Sequence, residues 1–314
     1  MNEKMDIVKQ IILDYDQSLE IKTISRPKDG YSNSVYFITF TNDLHLELVL
    51  KFIKANDNTE VMFYQLLHEN NVENFLVPKI LKFDSTIRNY YISSKLSGFP
   101  LSHSWDSMTH EQRLKIYREL GRFVGQLHSK YTYEKCGYLK NQEFYCWKEM
   151  FCTIIEKQIE KFKGTIFEEL GMKIYKYLFE NIHLIDYEIV PRLLHMDLHC
   201  GNILILNDTV TGILDAEDAV IGHNEYELMR IEKGHFEGNE TDDYRKEFLS
   251  IYTTYVKLDD DYDKRRRFYS LSRELVAIQC LIDFGEQYVQ NSSIEQEMKI
   301  IEEKIQHIVH FDKK

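Results

Sequence analysis

A single pair of strands interrupts the helical part of this chain, and that interruption constrains its fold more than any other feature. From Thr109 onward apolar residues recur at three- and four-residue steps through about 144–163, 171–181, 243–256, 266–288 and 294–309, the signature of amphipathic helices. Between Arg192 and Ala219 the period shortens to that of two apolar strands, 203–206 and 211–214, joined by the turn residues Asn207-Asp208. The first hundred residues read differently. Runs at 35–40 and 46–52 flank Thr41-Asn42-Asp43 as a hairpin, 60–68 has helical spacing, and 89–96 reads again as a strand. Thr109 with Gln112 makes a capping box ahead of a helix that lines up Tyr117, Leu120, Phe123, Val124 and Leu127. The pattern predicts an α+β chain, sheet-rich at its start and mostly helical after it.

The strand island carries the chemistry. It opens with His195-Met196-Asp197-Leu198-His199-Cys200-Gly201-Asn202 and closes with Asp215-Ala216-Glu217-Asp218. Asp197 and Asn202 have the spacing of the phosphotransfer signature H-x-D-x-x-x-x-N, and Asp215 follows on the next strand, where a metal-binding Asp is expected. Phosphoryl transfer needs a carboxylate to orient and deprotonate a hydroxyl, a role that fits Asp197. It also needs hard oxygen ligands for Mg²⁺, and Asn202 and Asp215 supply a carbonyl oxygen and a carboxylate. His195 braces the loop. Turn chemistry accounts for any one of these residues alone, but not for all three in this order between apolar strands. A zinc site of His195, His199 and Cys200 competes less well, because the segment is not an H-E-x-x-H helix and it leaves the Asp and Asn unexplained.

The upstream half is expected to hold the nucleotide. Lys51 alternates to the face opposite Leu48, Leu50 and Phe52, and Glu60 opens a helix nine residues later. A buried lysine needs such a partner, and the pair would hold the ammonium against the α- and β-phosphates; a solvated edge lysine is the plainer reading when the downstream loop is left out. Ser32, Asn33 and Ser34, in the turn Gly30–Tyr36, could offer N–H groups and hydroxyls to phosphate oxygens, although the turn lacks the repeated glycines of a G-x-G-x-x-G loop.

Composition narrows the partners. The chain has 314 residues, 43% of them hydrophobic and 13% aromatic, ample for one large domain or two modest ones around a cleft. A formal net charge of −12 disfavours nucleic acid and anionic membranes and favours cations. Five scattered cysteines without C-x-x-C spacing read as reduced thiols. The amino-terminal segment is charged and no run reaches about 18 apolar residues, so a cytoplasmic location is expected. The oligomeric state is left open.

On these residues the chain resembles the aminoglycoside phosphotransferase family, relatives of choline kinase and of eukaryotic-type protein kinases. The resemblance spans most of the chain. It also takes in Ser94-Lys95-Leu96-Ser97-Gly98, which looks like the interlobe hinge, and Leu120–His128, which is similar to the family's helix ending in Leu-His. It implies a protein-kinase-like two-lobed fold, with a small sheet-rich N-lobe at 1–98 and a larger, mostly helical C-lobe at 99–314. It further implies transfer from ATP or GTP with Mg²⁺ to a hydroxyl of a small cationic molecule, most directly an aminoglycoside antibiotic, with resistance as the outcome. Ser94 and Leu96 would then meet the purine. Glu227 stands in place of an Asp that in relatives fixes the catalytic loop. Met196, Cys200 and Ala216 depart from common family residues, which bears on the substrate more than on the reaction. No Ala-Pro-Glu follows Asp215, against a protein kinase. Among the acidic residues after Asp218, Glu227 and Glu237 are candidate contacts for substrate ammonium groups, together with Asp197. A solvated acidic surface accounts equally well for any one of the acids after Asp218.

Overall fold

The computed structural model describes residues 2–27, 35–69, 76–236, 242–289 and 292–311. Its first elements are α1 (Asn2–Tyr15), β1 (Ile21–Ser25), β2 (Val35–Phe40), β3 (Glu47–Phe52), α2 (Thr59–Glu69), β4 (Ile80–Asp84), β5 (Tyr90–Ser94), β6 (Phe99–Pro100) and α3 (Leu101–Ser104). Then come α4 (His110–Lys130), β7 (Cys136–Tyr138), β8 (Asn141–Phe144), α5 (Trp147–Phe162), α6 (Glu168–Glu180), β9 (Arg192–Leu194), β10 (Ile203–Leu206), β11 (Thr209–Ile213) and β12 (Val220–Gly222). The chain finishes with α7 (Asn224–His235), α8 (Asp242–Tyr252), α9 (Tyr262–Phe284) and α10 (Ile294–Phe311).

Two compact units result, one formed by Met1–Leu120 with Asp197–Ala219 and the other by Gly121–Met196 with Val220–Lys314. The sequence reading divides the chain after Gly98, whereas compactness groups the catalytic-motif segment with the amino-terminal part.

The first unit holds a five-stranded antiparallel sheet in the order β1-β2-β3-β5-β4. The expected hairpin is there, with Val35 opposite Lys51 and Thr39 opposite Glu47. Alternation decides which face is covered: Tyr36, Ile38, Phe40, Leu48, Leu50 and Ile92 turn inward and pack with Val8, Ile11 and Ile12 of α1. A second, three-stranded sheet runs β11-β10-β6. Asn207 and Asp208 join β10 to β11 with φ of 52° and 56°, the left-handed conformation that tight hairpins require. The capping box forms as read, Thr109 N–H donating to Gln112 Oε1 at 2.7 Å and Gln112 N–H to Thr109 Oγ1 at 3.3 Å.

The second unit packs α5, α6, α7, α9 and α10 with a four-stranded sheet, β8-β7-β12-β9. Trp147, Phe151, Tyr226, Phe268 and Tyr269 form its aromatic centre, with Trp147 Nε1–H donating to Tyr269 Oη at 2.6 Å. Several helix limits differ from the sequence reading, three of them for reasons visible in the structure. Helix α5 starts at Trp147 because 141–144 pairs as β8. Helix α8 stops at Tyr252, where Thr253 and Thr254 hydroxyls turn back onto Leu249 and Ile251 carbonyls. Helix α9 begins at Tyr262 behind Asp261, next to carboxylates that suit a helix N-terminus. No described helix is long and apolar enough to cross a membrane. The five cysteines form no disulfide.

Candidate active site

The β10–β11 hairpin organises the first unit's polar centre. Asn202 precedes β10 and Asp215 follows β11, and the Leu214 N–H donates to the Asn202 carbonyl at 2.9 Å, so the two arms bring these side chains to one end of the hairpin. Asn202 Nδ2 donates to the Asp197 carbonyl at 2.9 Å and to Asp197 Oδ2 at 3.0 Å. That orientation leaves the Asn202 Oδ1 as its acceptor. His199 lies 3.6 Å from Asp197 Oδ2 and accepts the Gly201 N–H at its Nδ1, 3.0 Å away. Asp197 and Asp215 are partly exposed, at 37% and 39% of their side-chain surface, whereas Asn202 is buried.

Lys51 reaches this end of the hairpin from β3. Its ammonium donates to Glu60 Oε2 at 2.8 Å and to Asp215 Oδ1 at 2.7 Å. Burial alone would favour the neutral amine, but the charges of Glu60 and Asp215 outweigh it and hold the Lys51 pKa above its ordinary value. Tyr64, one turn beyond Glu60 on α2, donates to Glu60 Oε1 at 2.8 Å and accepts the Asp215 N–H at 2.8 Å. Asp215 has a φ of 63°, a left-handed conformation uncommon outside glycine, and in it the Asp215 N–H reaches the Tyr64 hydroxyl. Glu217 is partly buried near Asp215, and both burial and that neighbouring charge raise its pKa.

The second unit holds a buried polar chain on the segment leading into Asp197. Met196 has a φ of 74°, and its N–H donates to Glu227 Oε1 at 2.6 Å. Glu227 Oε2 lies 2.7 Å from His128 Nε2, and His128 Nδ1 lies 3.0 Å from Tyr252 Oη. Asn224 Nδ2 donates to that same hydroxyl at 2.9 Å. One proton arrangement satisfies every member. Asn224 donates to Tyr252, Tyr252 donates to Nδ1 of a neutral His128, and Nε2–H donates to the Glu227 carboxylate. Burial would raise the Glu227 pKa; the hydrogen bond from His128, the charge of His195 and the Met196 N–H together lower it. His195 is fully buried.

The sequence-read residues are not all brought together. Lys51, Glu60, Asp197, Asn202 and Asp215 lie in one unit, Lys51 bonded to Glu60 and Asp215 and Asn202 to Asp197, with the Leu214–Asn202 backbone bond linking the two sets. Ser94 and Leu96 are already engaged structurally: Ser94 Oγ accepts the Lys79 N–H at 2.9 Å, and Leu96 lies against Gly212. Ser32, Asn33, Ser34 and Glu237 lie outside the described residues. Glu227 needs correcting as a substrate contact. It is 1% exposed and both its oxygens face protein donors, so it holds the loop rather than a ligand.

Other acids expected on an open face are likewise taken. Arg265 binds both oxygens of Glu225 at 2.7 Å, and Glu232 accepts from Arg245 Nε at 2.6 Å. Sequence reasoning missed Tyr64, Tyr252 and Asn224. Only Tyr64 left a signal, its place one helical turn after Glu60.

A family model for the phosphotransferase enzyme family matches residues 23–268. Among solved structures, ADP-bound aminoglycoside phosphotransferase APH(2'')-Ib is 17% identical, with a TM-score of 0.61 over 95% of this chain and 96% of that one. A thermostable mutant of aminoglycoside phosphotransferase APH(4)-Ia, in ternary complex with ADP and hygromycin B, is 13% identical, with a TM-score of 0.69 over 96% and 98%. The GDP and kanamycin complex of APH(2")-IIIa is 17% identical, with a TM-score of 0.66 over 95% and 97%. The fold is thus the kinase-like one of the aminoglycoside phosphotransferases, and with the match across residues 23–268 the chain belongs to the phosphotransferase enzyme family.

Proposed function

We propose that the chain moves the terminal phosphoryl group of ATP or GTP to a hydroxyl of a small molecule, with aminoglycosides the first class to test. The observation that carries this reading is the Lys51 ammonium held between Glu60 and Asp215, in the same unit as the Asp197–Asn202 pair. Lys51 would bind the nucleotide's phosphates, and Asp197 would orient the acceptor hydroxyl and take its proton as the oxygen bonds to phosphorus. The nucleoside diphosphate leaves with the electrons of the broken P–O bond.

Asn202 Oδ1 and the Asp215 carboxylate are hard oxygen donors that suit Mg²⁺. Mg²⁺ is commonly held by one or two carboxylates with substrate phosphates and water completing its shell. Such an ion neutralises phosphate charge when bound. His195, Glu227 and His128 act by holding the segment before Asp197.

Transfer of labelled γ-phosphate from ATP and from GTP to aminoglycosides, macrolides, choline, sugars and amino alcohols tests the proposal. Labelling of an aminoglycoside is the expected result. Labelling of another small alcohol alone would replace the substrate class, a reading favoured by the arginines that already occupy Glu225 and Glu232. Nucleotide binding with no labelled hydroxyl compound would leave a non-catalytic nucleotide-binding module. Lys51→Met is expected to lower transfer by about 10² to 10³-fold while circular dichroism stays that of the parent, since a charge aimed at the phosphates is lost. Unchanged transfer would remove Lys51 from the site.

A further inference from the structure

A cavity of about 600 Å³ opens within the second unit, walled by α7, α8, α9 and α10. Its lining is of two kinds. Met229, Phe236, Ile300 and Ile308 give it apolar surface. Lys233, Arg245, Arg266, Arg267 and Lys304 bring five positive charges, against the two carboxylates of Glu232 and Glu303. A chain with a formal net charge of −12 thus gathers an excess of cations around one hollow.

Four of those cations, Lys233, Arg245, Arg266 and Lys304, are held by carboxylates. Glu232 is 3% exposed and accepts from Tyr262 and from Arg245 Nε, with Arg266 Nη1 at 3.3 Å, so one buried carboxylate holds two guanidiniums at the wall. Asp263 steadies the same pair, 3.0 Å from Arg245 and 3.3 Å from Arg266. Lys304 of α10 and Lys233 of α7 converge on Glu274 at 3.4 and 3.9 Å. A guanidinium carries five N–H donors in a rigid fork, so Arg245 and Arg266 keep donors beyond those two carboxylates, in a geometry that matches a carboxylate or phosphate.

We propose that this cavity binds a small organic anion, with a carboxylate or phosphate head at Arg245, Arg266 and Lys304 and a short apolar body against Met229, Phe236, Ile300 and Ile308. Pockets of this size that combine apolar surface with fixed polar groups are typical of small-molecule sites. Five lining cations against two lining carboxylates suit an anion better than the cationic acceptor proposed above, and the inference stands whether or not that acceptor is correct.

Isothermal titration of the full chain with decanoate, decyl phosphate and decyltrimethylammonium tests it. Saturable one-to-one binding of an anion, and none of the cation, is expected. Binding of only one anion identifies the head group. Arg266→Gln removes a head contact and leaves Glu232 with Arg245 and Tyr262. Ile300→Trp fills the apolar end from a position already 42% exposed. Each is expected to weaken the anion about tenfold or more, with nucleotide binding unchanged as the check on folding. Equal binding of the cation, anion affinity indifferent to both variants, or no anion binding at all would overturn the proposal.

Discussion

Asp197→Asn is expected to lower single-turnover phosphoryl transfer by about 10² to 10⁴-fold, the usual contribution of a positioned general base. In free energy that is about 3–5 kcal/mol of barrier. The substitution keeps the shape of the side chain and an oxygen able to accept from Asn202 Nδ2, now 3.0 Å from Asp197 Oδ2. Nucleotide affinity measured by calorimetry should therefore stay at the parent value. Only the capacity to take a proton is removed. Turnover at the parent rate would show that the hydroxyl is deprotonated elsewhere, and a parallel loss of nucleotide binding would show that Asp197 serves the donor rather than the acceptor.

The second large effect is on stability. Glu227→Ala strips the acceptor from two buried donors, the Met196 N–H and His128 Nε2–H, which lie 2.6 and 2.7 Å from the carboxylate. Leaving such partners unpaired in the interior is expected to cost roughly 3–5 kcal/mol, read as a fall in the denaturant midpoint. Glu227→Gln is instructive because it is nearly isosteric. Its amide N–H would meet His128 Nε2–H unless the ring changed tautomer, and then Tyr252, already accepting from Asn224, would have no acceptor for its own proton.

Acid should act on the same carboxyl. Its pKa in the fold lies below the ordinary value, so the stability it contributes is complete above the unfolded pKa of about 4.3 and is lost as pH falls through the folded value. Glu227→Gln should flatten that part of the acid-unfolding curve. Parent-like stability and an unchanged acid limb in both variants would refute the anchoring role.

Local pattern made much of this molecule legible. The β2–β3 hairpin, the Thr109–Gln112 box and the Asn207-Asp208 turn each rest on residues within a few positions of one another, where period and turn chemistry act directly. Asp197 and Asn202 were readable for the same reason, since their hydrogen bond spans five residues. Lys51 and Glu60 were readable because a lysine set among apolar strand residues calls for a nearby acid.

What escaped depends on distance along the chain. Tyr64 meets Asp215 across 151 positions and His128 meets Glu227 across 99, and no spacing rule anticipates either. Strands β7, β9 and β12 have three residues each, too few to show a period. The acidic stretch after Asp218 misled for a related reason: carboxylates were visible in sequence, but the arginines 13 and 40 residues away that neutralise Glu232 and Glu225 were not.

The first compact unit is discontinuous, resuming at Asp197 after the chain has passed through Gly121–Met196. During synthesis, therefore, β6 waits for its partner β10, and Lys51 waits for Asp215, until Ala219 has cleared the ribosome. At ordinary elongation speeds that is a delay on the order of 5–20 s after Leu120 emerges. A nascent chain stalled before Asp197 would carry a lysine without its Asp215 partner and a strand edge open to wrong partners.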